Sequence, residues 1–276
     1  MASEDYPTVD ALAPAQTFAK AATVGKGKAD MGVARAFVLA VLAGLFIGMG
    51  GMFMLLVKSD SSLTFAPSSV LGGFAFSLGL FAVLVAGAEL FTGNNLMVIG
   101  KAQGLYDAPR LLRSWAVVYV GNLCGSLLLV GLLHLANFAG MSGGAVGATM
   151  VSVATAKCAL PWTVAFFRGV MCNILVCLAV WMGFAGKTVV DKFLAAAMPV
   201  MAFVACGFEH CVANMFFIPM GMVTLATVGA PEGFDAAALT FGGLLSNLSA
   251  ATLGNMVGGA VLFAGAYLLA FGRKDA

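Results

Sequence analysis

The sequence predicts an all-α membrane protein of six transmembrane helices, arranged as two inverted three-helix repeats with broken second and fifth helices. Three observations carry that prediction. The chain of 276 residues is 61% hydrophobic and only 9% charged, with a mean hydropathy of +1.01, whereas soluble domains hold roughly 45–50% apolar and about 25% charged residues. Apolar runs of about 20 residues, the length a bilayer crossing needs, recur six times. Finally, Gly87-Ala88-Glu89-Leu90-Phe91-Thr92-Gly93-Asn94 and Gly207-Phe208-Glu209-His210-Cys211-Val212-Ala213-Asn214 repeat Gly, Glu and Asn at one offset and set carboxyls and a His in apolar sequence. An ionisable side chain at that depth costs about 2.5–3.5 kcal/mol on insertion scales, so it faces a cavity or a transport path rather than lipid.

Taken in order, residues 1–32 form a cytoplasmic N-terminal segment. They mix acids, lysines and small residues without an apolar h-region, so no cleaved signal peptide is expected. Val9, Leu12, Phe18, Ala19 and Ala22 fall at roughly helical spacing between polar residues, which predicts an amphipathic helix lying at the membrane interface. The six spans follow near 36–57, 70–99, 114–136, 162–184, 193–223 and 251–271, filling residues 33–272 as one channel domain before a cytoplasmic tail, 273–276.

Basic residues set the orientation. Lys20, Lys26, Lys28 and Arg35 precede the first span; Lys101, Arg110 and Arg113 follow the second; Lys187 and Lys192 follow the fourth; Arg273 and Lys274 follow the sixth. All fall on one side. Lys58 and Lys157 are the only basic residues on the other, with Arg168 at or just inside the fourth span. The termini are therefore expected in the cytoplasm of a cell with this chain in its inner membrane. The net charge of +2 names no partner, and no basic cluster with interleaved aromatics points to nucleic acid. Of the cysteines Cys124, Cys158, Cys172, Cys177, Cys206 and Cys211, five fall in spans and none forms a CxxC pair, so small packing residues are expected. Cys206 and His210 share a helix spacing, but no convergent ligand set joins them, and no metal or cofactor is expected.

The repeat is legible in the residues. Arg35-Ala36-Phe37 through Met49-Gly50 aligns with Arg168-Gly169-Val170 through Met182-Gly183 at an offset of 133; Gly87, Glu89 and Asn94 match Gly207, Glu209 and Asn214 at 120; Gly121-Asn122 with Gly125 matches Gly254-Asn255 with Gly258, again at 133. Each repeat crosses an odd number of times, so the copies run with opposite topology and a path lies between them. Gly72-Gly73 and Phe76-Ser77-Leu78-Gly79-Leu80 are expected to interrupt the second span, and Pro199 and Gly207 the fifth. Gly44, Gly48, Gly50, Gly51, Gly121, Gly125, Gly254, Gly258 and Gly259 provide small residues for close helix packing.

His210 is the imidazole within an interruption, able to donate a hydrogen bond or a proton to an anion near neutral pH; His134 sits near the end of the third span. Glu89 and Glu209 are either proton relays or structural carboxylates that hold the breaks through backbone N–H groups. Phe76, Leu80, Leu90 and Phe203 surround the breaks, as pore constrictions or as core. Lys157 either draws anions to an entrance or caps the interface.

Phe76-Ser77-Leu78-Gly79-Leu80, Gly87-Ala88-Glu89-Leu90-Phe91-Thr92, Asn173 with Leu175-Val176-Cys177-Leu178-Ala179-Val180-Trp181, and Gly207-Phe208-Glu209-His210 with Ala213-Asn214-Met215 together closely resemble the formate/nitrite transporter family. The likeness runs from about residue 15 to residue 272. It implies an aquaporin-like fold, a homopentamer, and a separate pore in each protomer for formate, nitrite, hydrosulphide or, in some members, lactate. It further implies that His210 is the central pore His, with Thr92 and Asn173 as polar partners. Phe76, Leu80, Leu90, Val176 and Phe203 would form the constrictions, and Lys157 the vestibule lysine. Glu89 stands where some formate channels have Asp. The segment around Lys157 looks like nitrite-type members, whereas Gly207 to Met220 looks like formate or hydrosulphide types.

The expected function is transport of small monovalent weak-acid anions, formate foremost, with protons. The anion is neutralised through His210 by a proton ultimately from water, or passes charged while His210 only donates a hydrogen bond. A water pore is the distant alternative, although Thr92-Gly93-Asn94 and Val212-Ala213-Asn214 replace Asn-Pro-Ala boxes. A membrane enzyme using Glu89, Glu209 and His210 lacks an accompanying nucleophile, metal set or cofactor motif.

Overall fold

A computed structural model describes residues 10–272, which are all-helical, with no strand among them. In chain order the helices are α1 (Pro14–Ala29), α2 (Val33–Lys58), α3 (Phe65–Ala82), α4 (Val98–Ala102), α5 (Ala108–Leu135), α6 (Ala145–Cys158), α7 (Trp162–Ala185), α8 (Val189–Ala205), α9 (Cys211–Val228), α10 (Phe241–Met256) and α11 (Ala264–Phe271). A π-turn, Val83–Gly87, extends α3, and another, Val257–Phe263, joins α10 to α11. By length and apolarity seven helices suffice to cross a membrane. Six follow the expected spans or their halves. The additional one, Phe138–Cys158, is the least apolar of the seven, with hydropathy 1.2, and occupies a stretch expected to be a connection. It packs along α9.

Both long middle spans are broken, α3 from α4 by residues 88–92 with a 3-10 turn (Gly93–Met97), and α8 from α9 by residues 206–210. Gly87 and Gly207 turn the chain there with φ of +83° and +69°, a conformation that glycine adopts without strain. The breaks do not include Gly72, Gly73 or the 76–80 segment, all of which lie inside α3, and α8 runs through Pro199. Those glycines serve close packing instead: a Cβ on Gly73 would stand 2.7 Å from the Met201 carbonyl oxygen.

The N-terminal helix also differs from expectation. Val9 lies outside the described residues. In α1 the buried face is Thr17, Phe18, Ala21, Ala22 and Gly25, with Ala19 exposed, and it docks on α4, the preceding 3-10 turn and α7. Lys20 donates to the Phe184 carbonyl at 2.7 Å, and Arg113 to that of Ala29 at 2.8 Å. The apolar stripe therefore covers protein rather than the membrane interface.

Around the breaks, α2 packs on α5 as α7 packs on α10, while α3 packs on α8. Glycines set the first two contacts. A Cβ on Gly125 would lie 1.9 Å from the Val41 oxygen, and one on Gly258 2.2 Å from the Val170 oxygen; Gly121 faces the Phe37 oxygen and Gly254 that of Phe166. These contacts pair α2 with α7 at an offset of 129, one helical turn from the 133 that the residue alignment of the first span suggests. The 133 offset holds for α5 and α10.

Gly125→Ala should overpack the α2–α5 contact and cost about 1–3 kcal/mol, lowering the thermal midpoint of the detergent-solubilised protein. Gly131→Ala on the same helix, with nothing within 4 Å of its Cβ, should not lower the midpoint, since Ala favours the helix over Gly.

Candidate functional site

Two asparagines hold the breaks. Asn122 on α5 accepts from the Phe91 N–H at 2.9 Å and donates to the carbonyls of Ala40 and Glu89 at 2.8 and 2.9 Å. Asn255 on α10 repeats each bond: it accepts from Cys211 N–H at 2.9 Å and donates to Gly169 and Glu209 carbonyls at 2.8 and 2.9 Å. The Glu89 N–H reaches the Leu39 carbonyl and the Glu209 N–H that of Arg168. Backbone leaving helical form at membrane depth must be satisfied within the protein, and here side-chain amides do so. The carboxylates expected to hold the loops through backbone N–H groups do something else.

Glu89 accepts from Lys28 at 2.8 Å and from Asn94 at 2.7 Å. Glu209 accepts from Lys157 at 2.9 Å, Asn214 at 2.6 Å and Asn247 at 3.0 Å. Each buried carboxylate thus has a lysine and at least one amide. The two lysines differ in commitment. Lys28 also binds the Asn94 Oδ1 at 2.8 Å, while Lys157 stands 5.6 Å from the centre of the Phe217 ring and leaves the buried Asn214 Oδ1 unpartnered. Lys157 is accordingly not a free charge at an entrance, nor a cap: it is the last-turn lysine of α6, paired in the wall of a cavity.

That cavity, about 220 Å³, is one of two vestibules. Its wall holds Lys157, Glu209 and Asn214, and it narrows to Phe76, Phe203 and His210. The other, about 290 Å³, holds Lys28, Glu89 and Asn94 and narrows to Leu90. They are built from equivalent positions: Val24, Lys28, Met31 and Leu39 correspond to Val153, Lys157, Leu160 and Arg168 at 129, and Val83 through Asn94 to Phe203 through Asn214 at 120. Between them lies a small chamber lined by Ile47, Phe76, Leu80, Leu90, Val176, Val200, Phe203 and His210, without space for a water-sized sphere. Ile47 with Val176, Leu80 with Val200, and Leu90 with His210 are again equivalent positions. Apart from the imidazole, the chamber's lining is wholly apolar.

His210 is buried and caps α9: its Nδ1 accepts the Ala213 N–H at 3.0 Å, and its Nε2 meets the Thr92 hydroxyl at 2.9 Å. A ring nitrogen that accepts a backbone N–H carries no proton, so the proton sits on Nε2. The ring stacks on Phe203, centroids 5.8 Å apart, and Phe203 meets Phe76 edge-on at 5.9 Å.

Of the expected path residues, the structure brings His210, Phe76, Leu80, Leu90, Val176 and Phe203 to the chamber and Thr92 to His210. Asn173 stands behind them: its amide binds the carbonyls of Asn255 at 2.7 Å and Thr92 at 3.3 Å, and it lines none of the three cavities. Its equivalent at 129 is Gly44, which touches the Asn122 carbonyl, so Asn173 fills a space that backbone contact fills in the other half. Lys28, Asn247, Ile47 and Val200 join the site without having been singled out. Lys28 matches Lys157 only in the register that the glycine contacts set, preceding Leu39 by the eleven residues that separate Lys157 from Arg168.

A multi-pass helical membrane protein with a polar vestibule at either end of a closed apolar chamber has the architecture of a channel or transporter. A family model described as formate/nitrite transporter matches residues 15–269, and the chain belongs to that family. It is 36% identical over 272 residues to the formate channel FocA of Haemophilus influenzae, covering 95% of both chains. With the nitrite transporter NirC of Salmonella typhimurium it shares 34% over 244 residues, 87% of this chain and 84% of that one. Among solved structures, a pentameric formate channel with formate bound superposes with a TM-score of 0.79 at 38% identity, over 87% of this chain and 98% of the other.

The Lys157–Glu209 pair yields a prediction. Lys157→Gln leaves a buried carboxylate without its counter-charge, which costs about 3–5 kcal/mol. The double variant Lys157→Gln/Glu209→Gln should recover most of the lost thermal midpoint; equal losses in single and double variants would mean the pair is not coupled.

Proposed function

We propose that the protein is a pore for small monovalent weak-acid anions, formate foremost, with nitrite and hydrosulphide as alternatives within the family. One observation carries the reading: a closed apolar chamber whose lining holds a single imidazole donor, set between vestibules that each present lysine. A bare anion is barred from the constrictions because desolvation without compensation is costly. Stripping water from a weak-acid anion also raises its proton affinity. The anion reaching Lys157 therefore takes a proton from vestibule water, the hydroxide left behind returning to bulk solvent, and crosses Phe76 and Phe203, then Leu80, Leu90 and Val176, as the neutral acid.

His210 acts in this scheme as a fixed donor. Surrendering the Nε2 proton outright would oblige Nδ1 to take another and to break its bond with Ala213, so the geometry supports hydrogen bonding over relay. Thr92 accepts the Nε2–H and shares it with a passing substrate. The two halves run in opposite topology, with their copies of the vestibule at opposite faces. Five copies, each with its own pore, follow from the pentameric relative, and the basic residues of the connecting segments support cytoplasmic termini in the inner membrane.

Uptake of formate, nitrite and hydrosulphide by proteoliposomes at two pH values tests this. Formate uptake should rise as pH falls. His210→Asn keeps an N-cap acceptor for Ala213 and an amide N–H donor but cannot titrate, so formate uptake should continue with its pH dependence intact. Loss of that dependence would make His210 the relay, and rapid water flow without formate flow would replace the anion pore by a water pore. Phe203→Ala should raise chloride leakage, whereas unchanged leakage would reduce the ring to packing.

A further inference from the structure

The two vestibules match in position but not in charge. Lys157 and Lys28 are each balanced by their own carboxylate. The Lys157 vestibule then carries two more cations, Lys58 at the end of α2 and Arg168 in α7, with no carboxylate besides Glu209. Neither has an ion pair among the described residues. Arg168 donates from Nη1 to the Gly207 carbonyl at 3.4 Å, a contact that holds the guanidinium at the break without neutralising it. At the equivalent position the other vestibule has Leu39, and Arg35 is its one cation beyond the Lys28–Glu89 pair. Cations exceed carboxylates by two on one wall and by one on the other.

We infer that Arg168 and Lys58 are the anion-capturing groups of the Lys157 vestibule. They set its potential, while Lys157, already paired, offers short-range N–H bonds to an anion that has arrived. Cationic clefts with low-dielectric walls focus the field and raise the local concentration of small anions. The effect spans the vestibule at low ionic strength, where the screening length is about 30 Å at 0.01 M, and collapses at about 3 Å in 1 M salt. The inference rests on the anion-pore reading for its consequence, but the potential itself is measurable without transport.

Ala156 is exposed on the same wall. With Ala156→Cys introduced and Cys124, Cys158 and Cys206 changed to Ser, the reaction rates with an anionic and a cationic methanethiosulfonate report the local potential as a ratio. At about 10 mM salt, Arg168→Gln and Lys58→Gln should each lower the anionic-to-cationic ratio roughly three- to tenfold. Arg168→Lys should hold the parental ratio, and all differences should vanish near 1 M salt. In uptake assays the half-saturating formate concentration should rise by a similar factor at low salt, with the maximal rate kept. An unchanged ratio in both variants overturns the inference. So does a change that persists at high salt, since that marks the lost Gly207 hydrogen bond. A lowered ratio in a chain that moves no formate would remove the pore reading and leave the assignment of the potential standing.

Discussion

Everything at the centre of this molecule depends on satisfying two stretches of non-helical backbone at membrane depth. Asn122 and Asn255 meet that demand with the same three bonds each. By fixing the Glu89 and Glu209 carbonyls, they fix where the carboxylates sit, hence where Lys28 and Lys157 end. By pinning the N–H of Phe91 near the end of one break and that of Cys211 just beyond the other, they also orient the start of the following helical segment. The imidazole of His210, as the cap of α9, is positioned by that anchor and not by packing alone.

Chemistry enters where the halves differ. Leu90 faces the chamber in one half and His210 in the other; Thr92, which meets the imidazole, corresponds to Val212; the aromatic Phe203 and Phe76 correspond to Val83 and Ala196. The Thr92–His210 hydrogen bond therefore joins the two breaks, each contributing one partner that the other lacks. An apolar chamber assembled from equivalent residues is a barrier to ions; one substitution in each break turns it into a barrier with a donor inside.

Much of this was legible in the chain because it follows from local rules. Hydropathy and length marked most of the spans, and buried Glu and His beside glycine marked the breaks. Those rules failed where tertiary contact decides. Gly72, Gly73 and Gly79 look like helix interruptions by composition, yet α3 is continuous, with Gly73 and Gly79 admitting neighbouring backbone and Gly72 the Met54 and Lys58 side chains. The apolar stripe of α1 signals burial but cannot say whether lipid or protein covers it. The alignment of the first span was one turn out, because residue similarity there is weak against the glycine contacts that set the true register. Asn173 was expected at the path and stands one layer behind it, since its spacing places it on α7 without saying which face meets Thr92.

The contacts at Gly125 and Gly258 bring backbones together so closely that a single methyl group has no room. Helices in that condition have neither slack to slide nor freedom to rotate, so a solute squeezing through cannot be accommodated by spreading the frame. The compliant parts are the rings and branched tips that meet in the middle. Side chains reorient in picoseconds to nanoseconds, whereas collective helix shifts take microseconds to milliseconds. In a frame held that tightly, the room to move lies in the side chains at the centre and not in the helix contacts that surround them.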